Sequence, residues 1–117
     1  VSAAADVLDR LARSAPPRLW ERMAEAVAAA GGDLTAAAGA DARPDAVAGE
    51  LTAGALECLR AVLGSAGDRS AALDLLAADA LLTHAFEVAA EAGPERLEEM
   101  AWEALDRLVA LAPSGEP

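Results

Sequence analysis

Thirty-four of the 117 residues are alanine, while isoleucine and tyrosine are absent. Strands draw on β-branched and aromatic side chains, whereas Ala, Leu, Glu and Arg, which dominate here, lead the helix-propensity ranking. The chain is therefore expected to be all-α. Its length is that of one domain with one core. We assign residues 1–112 to a single helical domain and residues 113–117 to a flexible tail.

Prolines and glycines punctuate the sequence into about five helices packed as a bundle. A first segment, 2–13, places Leu8, Leu11 and Ala12 at helical spacing. Ser14 with Pro16 and Pro17 closes it and caps the next, 17–30, whose Leu19, Met23, Val27 and Ala30 share a face before Gly31-Gly32. Residues 33–40 are a weak Ala-rich piece. Pro44 and Asp45 open a long helix to residue 63, carrying Val47, Leu51, Leu56, Leu59 and Val62. Gly49 and Gly54 each weaken it by roughly 1 kcal/mol against alanine, a cost more easily tolerated where another helix approaches closely. Ser65 and Asp68 cap the next helix, 68–91, and Gly93-Pro94 separates it from a last one, 94–112. There Leu97, Ala101, Ala104, Leu105, Leu108 and Leu111 form one stripe.

The 68–91 helix is apolar nearly all round. Leu73, Leu76, Leu81 and Val88 project to one side and Leu75, Leu82 and Phe86 to another, a pattern that places it at the centre of the bundle. Asp79 lies on the second stripe and is expected to be a buried polar group, paired with an arginine or a helix N-terminus. A ligand role or a solvent-facing position are the alternatives. Trp20 and Trp102 stand beside the apolar stripes of their helices. Each packs on a second helix within the chain or anchors an interface. Together with Leu75, Leu82 and Phe86 they are the interface candidates.

Charge restricts the partners. Twenty acidic residues face nine arginines and no lysine, a net charge of −11. Nucleic acid and anionic membrane surfaces demand clustered positive charge, so neither is expected as a partner. No apolar run approaches the roughly 20 residues of a membrane span. The first residues carry no basic, apolar leader pattern, and a cytoplasmic location is the expectation. Cys58 is the single cysteine and reads as a buried inert thiol. His84 is the single histidine. With Glu87 and Glu91 it falls short of the usual metal-ligand sets and reads as an ordinary helix-surface or interface residue. Catalytic, metal and cofactor-binding residues are all expected to be absent.

Two stretches carry a family likeness. Ala78-Asp79-Ala80-Leu81-Leu82-Thr83-His84-Ala85-Phe86-Glu87 resembles the GDALLT-x-AFE helix of the trans-isoprenyl (polyprenyl) diphosphate synthases, with Ala78 where the family usually has Gly. Upstream, Pro16-Pro17-Arg18-Leu19 through Met23 to Ala30-Gly31-Gly32 is similar to the family's opening PP-x-L-x-x-A-M-x-Y-x-x-x-x-GGKRLRP. The departures are chemical. Asp33, Leu34 and Thr35 follow the glycines where the family's Lys and Arg grip a pyrophosphate. No Asp-Asp pair stands in for the Asp-rich motifs, whose carboxylates hold Mg²⁺ against the allylic diphosphate. After Asp45 at its start, the 44–63 helix reads Glu50 and Glu57 among Ala, Leu and Gly. The resemblance thus implies a short, non-catalytic, regulatory subunit that joins a catalytic prenyl synthase chain, helps form the heteromer and influences product chain length in isoprenoid biosynthesis. The alternative is a self-associating acidic helical adaptor unrelated to isoprenoids.

Overall fold

The structure is a computed structural model that describes residues 3–37, 43–65 and 67–111. Among these residues there are six helices and no strand: α1 (Ala3–Ser14), α2 (Pro17–Ala29), α3 (Leu34–Ala37), α4 (Pro44–Leu63), α5 (Arg69–Ala90) and α6 (Pro94–Leu111). The chain is an all-α bundle. The tail expected at 113–117 and residues 38–40 of the weak piece lie outside the described residues.

Helix boundaries follow local chemistry. Pro17 and Pro44 occupy first-turn positions, where the missing N–H is no loss. Ser14 does not cap α2: it sits in the last turn of α1 with its hydroxyl donating to the Arg10 carbonyl at 2.8 Å, and Pro16 takes the cap position without a side-chain bond. Asp68, rather than Ser65, caps α5, accepting from the Ala71 N–H at 3.2 Å. The α2 terminus explains the Gly-Gly pair. Gly31 adopts φ +93°, its N–H donates to the Ala28 carbonyl and the Gly32 N–H to the Val27 carbonyl, the double bond pattern of a left-handed helix stop. Gly32 is needed for room: a Cβ there would lie 2.9 Å from Val27 Cγ1 and 3.1 Å from Glu50 Cγ.

Helices α4 and α5 form a central antiparallel pair. Helix α2 packs on both of them, α6 does the same, and α1 lies on α5. Gly54 faces α2, where Val27 fills its space, and Thr52 faces α6, with its hydroxyl 3.9 Å from Met100 Sδ. Residues two apart on a helix point roughly 200° apart, so α2 and α6 flank different sides of α4. Leu8, Met23, Val27, Leu51, Leu81 and Val88 fill the centre without solvent exposure.

Position in the bundle does not bury α5 all round. Its inward face is built on alanine: Ala77, Ala78, Ala85 and Ala89 are at most 2% exposed. Small side chains let neighbouring helices approach, and this displaces the leucines outward. Leu75 and Leu76 are 53% and 58% exposed. The α6 stripe is likewise narrower than its sequence pattern, with Met100 and Ala104 buried and Leu105 in solvent.

Candidate docking surfaces

The buried carboxylate of α5 is Asp74, not Asp79. Asp79 is exposed, because its stripe emerges from the protein along the helix. Phe86 and Leu82 pack partly against the core, while Asp79 and Leu75 reach solvent. Asp74, five residues earlier, shares the alanine face and accepts a hydrogen bond from Arg22 Nε of α2. That bond raises the Arg22 guanidinium pKa above its ordinary value, against the lowering effect of burial. Cys58 of α4 is fully buried close to this pair. Burial pushes its thiol up to about 11, with the Arg22 charge pulling the other way. A thiol so placed is protonated near neutrality and is no nucleophile.

His84 Nδ1 lies 3.1 Å from Glu87 Oε1 without hydrogen-bond geometry and is shielded from solvent. Among the described residues, no group of three or more His, Cys, Asp or Glu side chains is placed to hold a metal ion. No described helix is long and apolar enough to cross a membrane.

Apolar surfaces are exposed on two of the helices. Of the five interface candidates, Leu75 and Trp102 stand in solvent, Trp102 at 62% exposure. Trp20, Leu82 and Phe86 are half-buried against the core. Beside α5 runs a groove of about 700 Å³, walled by Leu59 of α4 and by Leu75, Leu76, Asp79 and Leu82. A second depression of about 630 Å³ adjoins it on the α2 side, where Arg18, Arg22 and Arg69 meet Ser70 and Leu73. Ala72 and Leu76 border both. Both are shallow and open to solvent, with mostly apolar walls.

Sequence reading missed Leu76 and all three arginines. Leu76 was grouped with the inward Leu81 and Val88, and the arginines become neighbours only when the start of α2 crosses the start of α5. The signal that could have found Asp74 was its helical spacing with Ala77, Ala78, Leu81 and Ala85.

A third surface is the outer side of α6. Trp102, Leu105 and Val109 recur at helical spacing opposite the buried Met100 and Ala104, among exposed Glu98, Glu99, Glu103 and Asp106. Arg96 fixes this helix to the bundle, with Nε 3.2 Å from Asp45 of α4 and Nη1 2.7 Å from Glu99. No protein-family model matches the sequence, and no curated protein or solved structure matches it.

Proposed function

We propose that this chain is a non-catalytic association module that works by docking helix faces. The observation that carries this reading is the exposure of large apolar side chains on two helices: Leu75 and Leu76 on α5, Trp102 and Val109 on α6. Exposed tryptophan beside leucine is typical of interface anchors, because burying it on a partner removes much apolar area from water at small entropic cost.

In its specific form the proposal names a catalytic chain of the isoprenyl diphosphate synthase type as the partner. The support is the likeness of residues 78–87, which lie on α5, the helix that also bears the leucine groove. The module would add α5 and its neighbours to the partner's helices and line the wall that limits product length. Mixing the purified chain with such a synthase tests this. Co-elution and an altered product-length distribution are expected, and neither would appear if the partner is wrong.

A second reading, self-association, is favoured by one further observation. The α5 groove carries arginines at its margin, and the α6 face carries carboxylates.

A further inference from the structure

Three of the nine arginines of a chain with net charge −11 gather at one place, the α2 side of the α5 groove. Arg22 is engaged by Asp74. Among the described residues, Arg18 and Arg69 form no ion pair. The floor beside them is apolar and continues past Leu76 into the leucine groove, whose lining also includes the exposed Asp79. A depression of this kind fits a helix with an apolar ridge and acidic margins.

Helix α6 has that form. Its ridge of Trp102, Leu105 and Val109 is 62%, 48% and 66% exposed, and it points away from the protein's own core. Glu98, Glu99 and Asp106 flank it in solvent. From this complementarity we infer that the α6 ridge of one copy seats in the arginine-margined α5 groove of a second copy. In a chain of net charge −11, an arginine-margined groove is a place where a like-charged copy approaches favourably. Trp102 enters between Leu75, Leu76 and Leu59, and the carboxylates beside it meet Arg18 and Arg69. Because two different surfaces meet, each copy has one of each to offer, and assembly closes into a ring or a reciprocal dimer where the rotation allows it and otherwise continues as an open chain of copies. This inference rests on the self-association reading given above and adds the pairing of surfaces to it.

Complementary variants test it. Trp102→Glu spoils the ridge and Leu76→Glu the groove. Both residues are exposed, so both variants are expected to keep wild-type far-UV circular dichroism. Val109→Glu and Arg69→Glu form a second pair should either lose helix. By sedimentation velocity, the wild type associates with rising concentration. Each variant alone is weakened at least tenfold, and an equimolar mixture of the two recovers a 1:1 dimer, since one retains the groove and the other the ridge. A wild type that stays monomeric overturns self-association as a whole and leaves docking on a synthase to its own test. A wild type that associates while the mixture stays monomeric overturns the ridge-in-groove pairing alone.

Discussion

Replacing Gly49 and Gly54 separately by alanine makes two changes of identical chemistry on one helix, and their effects on stability are expected to have opposite signs. Both glycines weaken α4 by up to about 1 kcal/mol relative to alanine. At Gly49 an added Cβ meets nothing within 4 Å, so the helix gains that amount in full and the melting temperature rises by roughly 4 °C. At Gly54 the same Cβ would lie 2.8 Å from Val27 Cγ2, 3.2 Å from the Val27 amide nitrogen and 3.3 Å from its Cα. A rotamer change at Val27 relieves the first contact only; the others require α2 to move off α4. Overpacking of this kind costs about 1–3 kcal/mol, which outweighs the gain in helix propensity and leaves a net loss of up to about 2 kcal/mol. Urea unfolding followed by far-UV circular dichroism reads both changes, provided the slopes are equal. In a Val27→Ala background Gly54→Ala is expected to cost less, with a coupling of about 1 kcal/mol. Stabilisation by both substitutions, or a loss at Gly49, would refute the packing of α2 on α4 described here.

Three further outcomes follow from the same packing. Asp74→Asn removes the charge that Arg22 faces in a largely buried setting, and a loss of about 1–3 kcal/mol in urea unfolding is expected. Asp68→Ala deletes the α5 cap and is expected to cost about 1 kcal/mol by the same assay, whereas Ser14→Ala leaves the start of α2 unaffected. The Cys58 thiol is raised to about 11 in the fold, from an ordinary value near 9. The unfolded chain thus releases this proton first, and stability contributed by the protonated thiol is lost as pH climbs from about 9 to 11. Unfolding midpoints measured across that window should fall for the wild type more steeply than for Cys58→Ala.

The fold class and most helix limits were legible because they depend on local chemistry. Prolines can enter only first turns, and Gly31 takes a backbone angle that side chains disfavour. The orientation of α5 was not legible from its bulkiest residues. Leucine marks an inward face only where the space between helices is wide. Here α2 and α4 come close, so alanines at 77, 78, 85 and 89 occupy the inner face and Leu75 and Leu76 turn outward. The misplacement of Asp79 follows from that same inversion, as Asp74 lies on the alanine side and Asp79 with the leucines. Gly49 and Gly54 look alike in sequence, and only the position of Val27 separates them. The arginine cluster depends on how two helix starts cross, which no spacing within either helix encodes.

Trp102 offers the most direct measurement of whether the chain works through its exposed helix faces. In a Trp20→Phe background its fluorescence reports on the α6 ridge alone. Emission characteristic of water is expected in dilute solution, with a shift to shorter wavelength and reduced quenching by acrylamide as concentration rises or when a prenyl synthase chain is added. Emission that stays water-exposed across the whole concentration range and with the synthase present would contradict the account.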